Sequence, residues 1–430
     1  MKNYNAYITG TLAFGISTAV ISLLARWITA NTILSSPETL IKYGLIGGIG
    51  YSLMGAVSIL FFGVISTRIR NNHPNLLTLG DLFQKRLQPD GYYLMSFLIL
   101  FLGLDSLFMQ AVGASVLFDL LLGIPVTLSL LVFFLLIFVI AGLGGMKWIH
   151  KVEGMAIIFI FAAIIFIPMY FFINEGANHV YEGIRLLHPY LLVINNREAI
   201  FFIFTAMLIG VGQMLTDRAT WQRLYMIELK KVRVSFYLTA LVWSTIPLAM
   251  GGMLMIVIFD RTFDQSYLLL FELINKIKPL FLSVVFFLFC FGAILSTANA
   301  ELHATTVHFV KHVRKPLNPS MTERQMYKES YFFSGILLFA LLIATYFFEF
   351  SALQFLFFFG HLYASVIPVM LIIILSKRKI TRPMPYAVLI GWFVGYVFSS
   401  NPSSLESIWL SFTASSLFAV ASMMFADKEM

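Results

Sequence analysis

Long apolar stretches follow one another along this chain, each interrupted by a short cluster of Gly, Pro, Asn, Asp, Lys or Arg. That is the pattern of helices immersed in lipid, where about 20 consecutive residues cross the hydrocarbon core. Twelve spans are predicted, at 8–40, 44–70, 92–121, 125–146, 152–174, 196–222, 234–259, 279–311, 329–347, 351–376, 384–400 and 405–425. The expected fold is therefore an all-α integral membrane protein with twelve transmembrane helices, forming one membrane domain over 1–430. The first stretch is too long for a secretory signal and is expected to remain as a span.

Polar residues inside the apolar blocks divide the chain further. The first span carries Ala25-Arg-Trp-Ile-Thr-Ala-Asn-Thr-Ile-Leu-Ser-Ser-Pro37, where a continuous helix needs no such hydroxyls and amides. Either this helix unwinds locally and exposes carbonyls to a cavity, or it tilts and uses its hydroxyls for packing. The sixth span carries Gly210-Val-Gly-Gln213, where two glycines permit a second break. Five spans lie before the loop at 174–195 and five follow it before Lys377, so the halves run in opposite senses. The expected organisation is a 5+5 inverted repeat, with spans 1–5 at 8–174, spans 6–10 at 196–376 and two appended C-terminal helices at 384–425. In such repeats the ion and solute sites lie between the broken helices.

Composition agrees: 59% of residues are hydrophobic and 12% charged, against roughly 45–50% and about 25% in soluble domains. With the N-terminus on the cytoplasmic side, 22 of the 29 Lys and Arg fall in inside segments, six outside, and Arg26 alone within a span. That asymmetry predicts a multi-pass protein of the cell membrane with both termini cytoplasmic. The net charge of +8 follows from this topology, so no nucleic-acid partner is inferred. The single Cys290 allows no disulfide within the chain.

The eighth span holds the densest polar chemistry. Ala293, Ser296 and Thr297 fall at i, i+3 and i+4, so a carbonyl and two hydroxyls share a helix face. Gly292, Asn299, His303 and Thr306 extend it as a small and polar seam. Such a seam holds one helix against another, or it offers neutral oxygens to a hard monovalent cation.

Residues Gly292-Ala-Ile-Leu-Ser-Thr-Ala-Asn-Ala-Glu-Leu302, with the spacing of Ala25, Pro37 and Gly44, resemble the sodium–solute symporter family, whose members carry proline, pantothenate, sugars and urea on the leucine-transporter fold. The resemblance runs from about Ala25 to Pro368, with weaker matches at Thr78 to Arg86, Gly144-Gly145 with Glu153, and Asp217 with Trp221-Gln-Arg223. It implies a sodium site made by the carbonyls of Ala25, Ile28 and Ala293 and the hydroxyls of Ser296 and Thr297, and it puts Glu153 at the ion exit. No span is expected ahead of the core, where the family commonly has an extra helix. Asn299 stands where an aspartate is frequent, Trp27 where some members carry one, and Arg26 where a small residue is expected.

The candidates for holding solute are Arg26, Thr29, Asn31, Gly210 and Gln213 near the breaks, Asp105 and Gln110 at mid-depth of span three, and His361 in span ten, where the resemblance implies a wall of the substrate cavity. A guanidinium at mid-membrane costs on the order of 3 kcal/mol or more unless partnered. Its expected partner is Asp105, or else a solute carboxylate. His361 either meets solute or is a packing histidine. Glu153 is expected near water, ionised and without a permanent partner. Arg218, Arg223, Lys230 and Lys231 are expected to act only in topology.

The function expected is sodium-coupled symport of a small polar organic solute by alternating access, with sodium as coupling ion, no other cofactor, and a monomer sufficient. The alternatives are a solute sensor without net transport and proton coupling. An enzyme is not expected, because no span pairs a nucleophile with a base.

Overall fold

The computed structural model describes residues 4–262, 269–347, 352–399, 401–402 and 404–425. Lys2 and Lys428, part of the topology argument, lie outside these, as do 348–350 between the ninth and tenth expected spans and 351 at the start of the tenth. Among the described residues the chain is helical, the one pairing of extended backbone being an isolated parallel bridge between Phe14 and Ile227.

Helix α1 (Tyr4–Thr9) is followed by α2 (Ile16–Trp27), α3 (Ala30–Asn72), α4 (Leu79–Arg86), α5 (Pro89–Leu122), α6 (Val126–Ile137) and α7 (Met146–Asn174). After α8 (Ala177–Leu187) come α9 (Arg197–Thr216), α10 (Arg218–Met226), α11 (Val232–Ile258) and the single turn α12 (Leu273–Lys276). The remainder is α13 (Leu280–Phe309), the short α14 (Lys315–Leu317), α15 (Glu323–Phe347), α16 (Ala352–Leu375), α17 (Ala387–Val397) and α18 (Leu405–Phe425). Among the described residues ten helices are long and apolar enough to cross a membrane, and Ile16–Trp27 and Met384–Val397 are shorter apolar helices. These segments overlap the expected spans, and one of them is arranged differently. The 43-residue α3 would run about 65 Å if straight, twice the hydrocarbon thickness. It is divided at Gly44, whose φ of +74° is open to glycine at little cost. A Cβ at Gly47 would strike the Thr39 carbonyl, so the chain doubles back here with its two arms in contact. The arm before Gly44 completes the first expected span, and the arm after it is the second.

The chain has two helix breaks, one where the sequence placed it and one further along than expected. The first is confined to Ile28 and Thr29, and Pro37 lies inside α3. The second is not at Gly210–Gln213, through which α9 runs unbroken, but at Asp217. The glycines serve close packing instead: a Cβ on Gly210 would meet Ser58, and one on Gly212 the Tyr363 backbone.

The core is built where α3 packs against α11 and α9, α13 against α7 and α5, and α16 against α9 and α18. The short α2 lies among α7, α11 and α13, with Leu23, Leu24 and Ala25 buried at 1% exposure or less. A helix that short and that deeply enclosed is held by its neighbours and not by its own length.

Candidate functional site

At the first break the chain leaves helical geometry at Ile28 (ψ 100°) and re-enters it after Thr29 (ψ 171°). Thr29 caps α3 by accepting from the Thr32 amide, while its own amide donates to the Thr32 hydroxyl. The carbonyls freed at the end of α2 have no intrahelical donors. Trp243 Nε1 donates to Trp27 O at 2.8 Å, and the others turn toward α13. Ser296 Oγ lies 2.8 Å from Ala25 O and 3.1 Å from Ala293 O. Thr297 Oγ1 lies 3.0 Å from Ile28 O, 3.3 Å from Arg26 O and 3.4 Å from Ala25 O. A hydroxyl has one proton, so these distances describe a cluster of oxygens and not separate bonds. Ala25, Ile28, Ala293, Ser296 and Thr297 are each 0% exposed. Three carbonyls, two hydroxyls and the additional Arg26 carbonyl make a compact neutral set suited to a hard cation of low charge.

Next to this cluster is a cavity of about 90 Å³, room for a few waters or a small solute. Of the residues predicted to hold solute, Arg26, Thr29, Asn31, Asp105, Gln110, Gly210 and Gln213 line it. Their tasks differ. Gln110 accepts from the Ala30 amide at 2.9 Å and donates to Ser106 O at 3.2 Å, so it caps α3 with both ends occupied. Thr29 is likewise a cap, and Gly210 gives room. Asn31 Oδ1 is buried without a partner.

His361 is not on the cavity wall. Its Nδ1 is 2.8 Å from Ser411 Oγ and its Nε2 2.8 Å from Pro402 O, which ties α16 to α18 and makes it a packing histidine.

The charges are arranged differently from the expectation. Arg26 does not pair with Asp105: its Nη2 is 2.6 Å from Asp217 Oδ1 and 2.6 Å from Glu301 Oε2, with Nε 3.2 Å from Asp217. Asp105 instead accepts from the Tyr363 hydroxyl at 2.9 Å. The fork of one guanidinium thus joins the second break to α13. Arg218, expected to be only topogenic, is 4% exposed and pairs with Glu301 while donating to Ile99 O. Asp217 also caps α10, accepting from the Thr220 amide at 2.9 Å and from its hydroxyl.

Glu153 is likewise corrected. It is 0% exposed and pairs with Arg223, itself fully buried, while Ser22 Oγ donates to it at 2.7 Å. Burial without water obliges the carboxylate to keep such a partner, so Arg223 too is a structural charge.

Sequence reasoning missed Glu301, Tyr363, Tyr51 and Trp243 on the cavity wall. Glu301 carried a signal: an acidic residue in an apolar span, one turn beyond Ser296 and Thr297. The aromatic residues carried none, being ordinary members of apolar helices.

Comparison with known proteins agrees with this geometry. The description "Sodium:solute symporter family" fits residues 7–391. Among curated proteins, probable urea active transporters 2 and 1 of Schizosaccharomyces pombe are 22% and 24% identical, over 54% and 57% of this chain. The chain spans only 36% and 40% of the length of those relatives. A Na+-coupled sialic acid symporter in a substrate-bound outward-open state superposes with a TM-score of 0.83 at 11% identity, covering 98% of this chain and 93% of its own. A nucleobase-cation-symport-1 family transporter, closed with bromovinylhydantoin bound, gives 0.64 at 14% identity over 98% and 94%. MhsT in complex with L-phenylalanine gives 0.59 at 12% identity over 96% and 98%. The fold is that of the leucine-transporter group, and with its profile matched over nearly its whole length, the chain belongs to the sodium:solute symporter family.

Proposed function

We propose that this protein is a secondary active transporter that couples sodium entry to symport of a small polar organic solute by alternating access. The observation that carries the reading is the meeting of the Ser296 and Thr297 hydroxyls with the Ala25 and Ile28 carbonyls at a helix break. Sodium is cargo here, taken by Ala25 O, Ile28 O, Ala293 O and the two hydroxyls, which turn their lone pairs to the ion. Neutral ligands hold it without a full counter-charge, so release costs little. The solute occupies the adjoining cavity, and the shared α2 break makes each site sensitive to the other's occupancy. The two repeats at 8–174 and 196–376 would rock about this centre, in the cell membrane, with both termini cytoplasmic as the Lys and Arg distribution supports. A monomer is the proposed working unit.

Counterflow in proteoliposomes against amino acids, vitamins, sugars, amides and monocarboxylates, with sodium, without it, and with a proton gradient, tests this reading. Sodium-dependent exchange of one solute class is expected. Ser296→Ala and Thr297→Ala should each raise the sodium concentration for half-maximal exchange by about tenfold, the loss of roughly 1.4 kcal/mol. An unchanged sodium response in both variants would misplace the site, and solute binding without any exchange would favour a sensor.

A further inference from the structure

The charges on the cavity wall do not cancel. The wall holds two guanidiniums, Arg26 and Arg218, and three carboxylates, Asp105, Asp217 and Glu301. Both cations are occupied: Arg26 lies between Asp217 and Glu301, and Arg218 is held by Glu301. Asp105, 5% exposed, is bonded by the Tyr363 hydroxyl through Oδ2, and among the described residues no Lys, Arg or His forms an ion pair with it. An ionised carboxylate has about four acceptor positions, so one phenol leaves most of its capacity unused. Elsewhere on the same wall the Asn31 oxygen is also unpartnered.

These facts decide between solute chemistries. A carboxylate entering the cavity meets three carboxylates and no guanidinium that is free of one, which is repulsive at short range. An N–H donor meets unused acceptors. With one sodium ion beside the cavity as the counter-charge that keeps Asp105 ionised, three positive charges stand against three negative ones, so an uncharged solute leaves the loaded site neutral.

We propose that the cavity takes an uncharged N–H donor solute, of carboxamide or ureide type, with Asp105 as the acceptor that selects it, and that carboxylate solutes are rejected. This rests on the symport reading and names the chemistry of its solute.

The test uses the purified full-length chain with sodium present and reads equilibrium binding from tryptophan fluorescence, since Trp27 and Trp243 line the cavity. The probes are amide, acid and amine trios on one skeleton, in rising size: propionamide, propionate and propylammonium, then nicotinamide, nicotinate and 3-picolylamine. In at least one trio the amide should bind about tenfold or more tightly than the acid and the amine. Asp105→Asn should abolish that preference while melting within a few degrees of wild type, and Tyr363→Phe, which leaves the carboxylate in place, should retain it. Three results would overturn the proposal: acids binding as well as amides in every trio, an unchanged preference in Asp105→Asn, or no binding by any amide. Tighter binding by the amines would overturn its charge balance. Selective amide binding without sodium-dependent counterflow upholds the solute chemistry and sinks sodium coupling. Sodium-driven uptake of a carboxylate does the reverse.

Discussion

Removing the Arg26 guanidinium separates the observed charge network from the pairing expected on sequence. In Arg26→Ala, Asp217 loses both of its contacts to the guanidinium but keeps the Thr220 amide and hydroxyl at the N-terminus of α10. Glu301 loses one contact and keeps Arg218, with Thr305 Oγ1 donating at 3.1 Å. Stripping one partner from a buried pair costs about 3–5 kcal/mol, because a charge is left unpaired out of water. Neither carboxylate here is left bare, so the lower end applies, about 3 kcal/mol. The residual penalty sits on Asp217, whose cationic partner at hydrogen-bonding distance among the described residues was Arg26. Arg26→Ala with Asp217→Asn removes that stranded charge while retaining an oxygen for the Thr220 amide, and should recover about 1–2 kcal/mol. Arg26→Ala with Asp105→Ala should recover nothing, since Asp105 bonds Tyr363 instead. The assay is reversible unfolding in mixed micelles, titrating a denaturing detergent and following helix content. Wild-type stability in Arg26→Ala, or rescue by Asp105→Ala and not by Asp217→Asn, would refute the network.

Glu153→Gln should lower stability by about 3–5 kcal/mol by leaving the Arg223 guanidinium buried and unpaired, and Glu153→Gln with Arg223→Met should restore part of it. A single variant as stable as wild type that only slows sodium efflux would contradict this. Asp81, in α4 outside the spans, gives a pH dependence. Burial pushes its carboxyl up, but Lys311 at 2.8 Å and His312 outweigh this and hold it below the usual aspartate range. A depressed carboxyl contributes stability above its unfolded value, about 3.9, and loses it as pH falls through the folded one. Asp81→Asn should therefore melt lower at neutral pH, by about 1–3 kcal/mol, with the gap closing only in strong acid. A gap of equal size at every pH would count against the pairing.

Much of this protein was readable from the chain because the determining physics is local. A helix crosses a bilayer when about 20 apolar residues follow one another, so the spans stand in the sequence directly. Ser296 and Thr297 share a face with Ala293 through helix geometry alone, and in the fold the carbonyls of Ala25 and Ile28, implied by the family resemblance, meet their hydroxyls. The second break was legible in principle: Asp217 followed three residues later by Thr220 is a helix-start signal. The glycines at 210 and 212, the other break signal in this span, serve helix contacts that only the folded structure reveals.

The partners of the buried charges could not be read in this way. Arg26 is 191 residues from Asp217 and 275 from Glu301, and Glu153 is 70 from Arg223. Which carboxylate meets which guanidinium depends on how α2, α7, α10 and α13 cross, and no local pattern encodes a crossing. The sequence required that a charge in a span be partnered, since hydrocarbon will not hold it alone. Tertiary packing chose the partner, because among several carboxylates of equal chemistry only distance decides.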